Sequence, residues 1–183
     1  MAVRVRPGRA DDAVAIAAVF AEAARAGWAD LFPPGWFDHA LDVAPDRFRR
    51  HLEGFEWAEV LVAEEDGEAV GFATVRPSAD ADADGTVGEL HMLYTRPAVW
   101  GRGAGRALLA EALASLAKRG FGEATLWTEV RNERARRLYE AAGWRLDGRR
   151  RERPVGGATV VDARYRIELA RVSRSGEADD PKR

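Results

Sequence analysis

Cysteine is absent from the 183-residue chain, which removes disulfides, thiolate zinc sites and a cysteine nucleophile in one step. No apolar run approaches the roughly 20 residues that a membrane-spanning helix needs. The opening MAVRVRPGRADD lacks the apolar core of a signal peptide. Charge of one sign is lacking too: 30 acidic and 28 basic residues leave a formal charge of -2, too little to gather nucleic acid or an anionic membrane. These absences lead to the expectation of a cytoplasmic protein that works on a small partner, with no nucleic acid and no membrane involved.

The hydrophobic content of 46% suits one well-filled domain, expected over residues 1–170. The closing ARVSRSGEADDPKR is polar and patternless, so the tail from residue 171 to 183 is expected to be disordered. Along the chain, AVRVR alternates like a short strand. DDAVAIAAVFAEAARAG then places Val14, Ile16, Ala17, Phe20 and Ala24 near one helical face, with Asp11 as the cap. WADLFPPGWFDHAL is irregular and aromatic-rich, and PDRFRRHLEGF suits a short amphipathic helix.

From Trp57 the period changes. WAEVLVAEE, the turn Asp66-Gly67, EAVGFATVR, a polar break ending at Asp84-Gly85, and TVGELHMLYT read as an antiparallel meander. A helix repeating Leu108, Leu109, Ala112, Leu113 and Leu116 follows and closes at Gly120. EATLWTEV is a strand, and NERARRLYEAAG a helix capped by Asn132 and stopped at Gly143. WRLDGRRR is another strand. VVDARYRIEL alternates cleanly, with Val161, Ala163, Tyr165, Ile167 and Leu169 on one face.

The chemistry gathers at PAVWGRGAGRALLAEAL. A strand feeding a glycine-rich turn that opens a helix is an anion site in principle, because the free N–H groups of the first turn and the helix dipole both favour negative charge. The competing reading is that the glycines only permit a tight turn. A nucleoside-triphosphate loop needs lysine and then a hydroxyl after its last glycine, and Gly105 is followed by Arg106 and Ala107. A dinucleotide fingerprint needs a glycine where Arg106 stands and a strand-helix-strand setting, whereas antiparallel hairpins precede this turn.

RGAGRALL after ELHMLYTRP, followed by N-x-x-A-x-x-x-Y-E-x-x-G-W from Asn132 to Trp144, resembles the GNAT superfamily of acyl-CoA-dependent N-acetyltransferases from Ala2 to about Leu169. The resemblance implies a mixed α/β (α+β) fold with a largely antiparallel, splayed sheet flanked by helices. It implies acetyl-CoA as co-substrate, no metal, and a small-molecule or peptide amine as acceptor, and it leaves room for a homodimer. The coenzyme's pyrophosphate would meet the backbone of Gly101, Arg102, Gly103, Ala104, Gly105 and Arg106. Its pantetheine arm would run along Leu93, Tyr94 and Thr95, and Asn132 would contact it as well as capping its own helix. The family often begins the glycine motif with glutamine or arginine; here that position is Trp100.

Acetyl transfer from a thioester to an amine needs a neutral amine, a polarised carbonyl and a proton for the departing thiolate. The resemblance makes Tyr139 the acid. Glu89 and Glu129 stand where the resemblance implies a base, His91 shares the Glu89 face by alternation, and the three rank in the order Glu89, Glu129, His91. The oxyanion would be met by a backbone N–H near Leu93. Trp28, Leu31, Phe32 and Trp36 fall in the segment that shapes the acceptor side. Two rivals remain: a non-catalytic acyl-CoA sensor or docking module of the same fold, and a nucleotide-binding domain using the turn for another phosphate. DADADG from Asp80 to Gly85 mimics the start of a calcium loop, but His91 stands where that loop needs a glutamate, so the run reads as a solvated hairpin connection. His39 and His51 have no partner at ligand spacing.

Overall fold

The computed structural model describes residues 2–28, 46, 48–50, 52, 58–155 and 157–170. Strand β1 (Arg4–Pro7) leads through one 3-10 turn into helix α1 (Ala13–Trp28). Asp11 does not perform the capping. Its neighbour Asp12 accepts the Arg9 N–H at 2.7 Å and pairs with Arg6, which pins the turn to β1. Helix α1 buries Ala13, Ile16, Ala17, Val19, Ala23 and Ala24. Val14, expected on that face, is 61% exposed, since two positions from Ile16 is about 200° around a helix. Within PDRFRRHLEGF the described residues are helical, and Phe48 is buried with its ring 5.2 Å from that of Phe72.

The meander is present as β2 (Glu59–Glu65), β3 (Glu68–Pro77) and β4 (Val87–Thr95), each antiparallel to the next. Helix α2 (Ala104–Lys118), β5 (Glu123–Glu129), helix α3 (Glu133–Ala141), β6 (Arg145–Val155) and β7 (Ala158–Glu168) complete the order. Strand β6 runs four residues past the expected Arg151, because its pairing with β7 continues to Val155↔Ala158.

The seven strands lie in the order β1-β2-β3-β4-β5-β7-β6. Among the described residues only β4 and β5 are parallel neighbours, and their pairing stops after Glu89↔Thr125. The cause lies one residue further on: Leu90 pairs with Val75 and Met92 with Thr74, leaving His91 as an extra residue on β4. Such a bulge bends its strand, and from there β4 and β5 diverge into a wedge.

Helices α2 and α3 cover one face of the sheet over a core that includes Leu61, Val75, Leu108, Leu116, Leu126, Tyr139 and Tyr165. Helix α1 and Phe48 cover the other face against Val60, Val62 and Phe72. Helix α2 approaches β3 closely because Gly71 has no side chain. A Cβ there would lie 2.8 Å from Thr95 Cγ2 and 2.9 Å from Leu108 Cδ1.

Candidate active site

The wedge opens into a cleft of about 570 Å³. Leu93, Tyr94 and Thr95 line its β4 side, Gly101, Gly103, Gly105 and Arg106 one end, and Asn132 and Tyr139 its α3 side. Because β5 leaves β4 after Glu89, the outward edge of β4 from Leu90 to Thr95 has no strand partner. This is the geometry that strand addition by an extended amide chain requires.

The glycine turn is built as its composition suggests. Gly101 and Gly103 have φ of 77° and 98°, values that residues with a Cβ rarely adopt, and neither would meet a neighbouring atom. The turn therefore keeps glycine for its backbone shape and leaves the space above it open. The first bond of α2 runs from Ala107 N–H to the Gly103 carbonyl at 2.9 Å. The N–H groups of Ala104, Gly105 and Arg106 thus lack an intrahelical acceptor, and Gly105 and Arg106 line the cleft. The side chain of Arg102 turns away to pair with Glu65 at 2.8 Å, and Ala104 is fully buried. Neither of those two residues lines the cleft.

Trp100 has a role that the sequence left blank. Its indole N–H donates to the Thr95 carbonyl at 2.9 Å, and the Arg134 guanidinium lies 3.1 Å from its ring centroid. One side chain thereby ties the end of β4, the glycine turn and the start of α3 together. Trp100→Ala removes one hydrogen bond and one cation–π contact, so we expect about 1–2 kcal/mol lower stability. Calorimetric titration should also show weaker acetyl-CoA binding, because the two walls of the cleft are no longer braced.

Asn132 caps α3 as expected: its Oδ1 accepts the Ala135 N–H at 3.1 Å, which leaves its amide N–H groups for the cleft. Tyr139 packs between Trp144 and Tyr165, with ring centroids 6.2 and 6.1 Å away. Burial, and then the nearby Tyr94, push its phenol well above the ordinary value. The proton therefore stays on at every working pH.

The three base candidates all line the same cleft, yet their surroundings differ. Glu89 is 5% exposed, takes the Arg76 Nε–H at 2.7 Å and faces His91 Nδ1 at 3.2 Å. Burial alone would raise its pKa; the bonds from His91 and Arg76 outweigh that and hold it below the usual carboxylate range. Glu129 accepts the N–H and Nε–H of Arg131 at 2.8 and 2.9 Å. His91 spends Nδ1 on Glu89, which leaves Nε2 for the cleft. The bulge that opens the wedge also presents this imidazole. Trp28 lines the cleft with Phe20, its ring 6.4 Å from that of Tyr94. Leu31, Phe32, Trp36, His39, His51 and the tail from residue 171 lie outside the described residues.

The model of the Acetyltransferase (GNAT) family matches residues 21–144, about two thirds of the chain. The chain belongs to the GNAT acetyltransferase family. Among its relatives, the mycothiol acetyltransferase of Thermobispora bispora is 38% identical over 128 residues, covering 66% of this chain and 43% of that protein. The uncharacterized N-acetyltransferase YhfO of Bacillus subtilis is 30% identical over 147 residues, 79% of this chain and 91% of that one. The GNAT chain thus spans less than half the length of the mycothiol acetyltransferase it matches. Its fold is shared with the PaiA N-acetyltransferase of Thermoplasma acidophilum, solved in complex with coenzyme A, with TM-score 0.70, 18% identity and coverage of 92% of this chain and all of that one. It is equally shared with the ribosomal-protein-S18-alanine N-acetyltransferase of Escherichia coli, with TM-score 0.70, 18% identity and coverage of 96% and 99%.

Proposed function

We propose that this GNAT chain transfers the acetyl group of acetyl-CoA to a primary amine. The observation that carries the reading is the wedge itself. A helix N-terminus with free N–H groups stands at one end, an unpaired strand edge runs along it, and a protonated phenol, a carboxylate and an imidazole line it. The pyrophosphate meets Ala104, Gly105 and Arg106 along with the open backbone of Gly101 and Gly103. The pantetheine amides pair with the free edge at Leu93, Tyr94 and Thr95.

The amine nitrogen attacks the thioester carbonyl carbon, the C–S bond breaks, and the amine's surplus proton passes to His91 Nε2. Glu89 acts through the imidazole: it fixes the ring's orientation and stabilises the charge that the ring acquires. A carboxylate held below its usual range is a poor base by itself, so this order places His91 nearer the proton than Glu89. The backbone N–H near Leu93 receives the oxyanion, and the Tyr139 phenol donates to the leaving thiolate.

Since Glu89 is charged throughout the neutral range, its titration shapes no part of the rate profile above about pH 5. Glu89→Gln should lower kcat by roughly ten-fold while a single-proton limb persists in the rate profile above about pH 5. Loss of that limb would make Glu89 the titrating base. Release of free thiol from acetyl-CoA with a panel of primary amines tests the whole reading. Binding of acetyl-CoA with no release for any amine would leave a coenzyme-binding module of the same fold.

A further inference from the structure

The acceptor end of the cleft carries two arginines that the transfer chemistry does not use. Arg151 and Arg153 stand on the edge strand β6, yet both line the cleft. They reach it by crossing over Asp162 on β7, which is 2% exposed. Arg153 donates to that carboxylate from Nε at 2.6 Å and Nη2 at 3.2 Å, and Arg151 from Nε at 3.0 Å. Arg151 also rests its guanidinium 4.3 Å from the centroid of Trp127, another lining residue.

One carboxylate for two guanidinium groups leaves a positive charge over. The neighbouring carboxylates do not absorb it, because Glu89 is engaged by Arg76 and Glu129 by Arg131. Both terminal nitrogens of Arg151, and Nη1 of Arg153, have no acceptor among the described residues. The two side chains remain 42% and 41% exposed. A purely structural need of Asp162 would be met by one bidentate arginine. Two, held by their Nε atoms on one carboxylate at a cleft that both residues line, keep outer N–H groups that suit a planar or tetrahedral oxyanion. An acceptor carrying only an amine would meet a positive wall.

We propose that the acceptor bears an anionic group, a carboxylate or phosphate, which Arg151 and Arg153 bind while its amine faces His91 and Glu89. This rests on the acetyltransferase reading and adds the class of acceptor to it. Asp162 is then a positioning residue that holds both guanidinium groups at the required height.

The test uses straight-chain primary amines of increasing length, in matched sets ending in a methyl, a carboxylate or a phosphate group, assayed by thiol release from acetyl-CoA. The expected result is a kcat/KM at least about ten-fold higher for a carboxylate or phosphate member than for its methyl counterpart, carried mostly in KM. The preferred terminus identifies the anion. R151Q and R153Q, made singly so that Asp162 keeps one partner, should each bring the ratio between anionic and neutral members toward one. Wild-type melting temperatures in both variants would show that folding is not the cause. Equal or better use of the methyl members by the wild type overturns the proposal, as does a preference that survives both substitutions. If no set is acetylated, calorimetry on the coenzyme A complex decides: absence of binding by any anionic member overturns it as well. The transferase reading itself fails only if acetyl-CoA does not bind or no amine of any class releases thiol.

Discussion

Tyr139→Phe should lower kcat roughly 100-fold while leaving the acetyl-CoA Kd within about two-fold of the wild-type value. The substitution removes one oxygen and nothing from the packing against Trp144 and Tyr165, so any loss belongs to the hydroxyl. That hydroxyl makes no hydrogen bond to a described residue, and Trp144 Nε1, not Tyr139, is the buried polar atom left without a partner. The phenol is thus open to the cleft and free to donate. A phenol raised by burial is a weaker acid than an ordinary one of about 10, while an alkyl thiol sits near 8.5. Full proton transfer in the ground state is therefore uphill. What the hydroxyl supplies is a donor already aimed at the sulfur when negative charge gathers there, and 100-fold corresponds to about 2.7 kcal/mol of such stabilisation. Stopped-flow or steady-state thiol release, paired with calorimetric titration of acetyl-CoA, separates the two constants. Wild-type turnover in the variant would remove Tyr139 from the mechanism.

The placement of Tyr139 at the cleft was legible in the sequence because the residue stands in a motif whose parts have local physical jobs. Asn132 caps, Gly143 stops the helix with a φ of 89°, and the spacing between them puts Tyr139 on the inner face. The hairpins were legible for the same reason: Asp66-Gly67 adopts positive φ at both positions, as a two-residue turn demands. The polar half of the site was not. Alternation in VVDARYRIEL marks Tyr165 and Ala163 as buried and is silent about their neighbours, yet Asp162 and Arg164 are each 2% exposed. Charged residues can go inside when they meet partners, and those partners lie far away in the chain. Arg164 bonds to Asp80 and Asp82 over more than 80 positions. The acidic run at Asp80 is for that reason no merely solvated connection. A signal for Arg151 and Arg153 did exist, since counting back across the hairpin before Ala158 places both opposite the Asp162 end of β7. It required strand β6 to be extended past Arg151. Trp100 carried no such signal, because its partner Arg134 is brought to it by the fold alone.

Arg164→Ala should destabilise the protein by about 3–5 kcal/mol, the cost of breaking a buried ion cluster from one side. The guanidinium of Arg164 donates to Asp147 at 2.7 Å through Nε, to Asp80 at 3.0 Å and Asp82 at 2.7 Å through Nη1, and again to Asp82 at 2.8 Å through Nη2. Removing it leaves three carboxylates crowded beside Trp127, whose indole N–H is itself held by Asp80 at 2.8 Å. Hydrogen bonds from Arg164 hold the Asp82 carboxyl far below its ordinary range. A depressed carboxylate contributes stability that is present above its unfolded value of about 4 and is lost as pH falls through the folded value. In the variant that contribution shrinks: Asp82 keeps Arg149 and Arg166, Asp147 keeps Arg166, and Asp80 loses its guanidinium, so less stability is left to lose as pH falls. The stability gap between wild type and R164A should accordingly be widest near neutrality and narrow below about pH 4. Urea unfolding across that range reads the difference directly, and a gap constant with pH would mean that Arg164 acts by filling space and not by charge. The same variant bears on the proposed acceptor site, because the Trp127 ring supports Arg151. Loss of the cluster should raise KM for the acceptor more than Kd for acetyl-CoA, since the backbone groups proposed to hold the coenzyme lie on β4, α2 and α3.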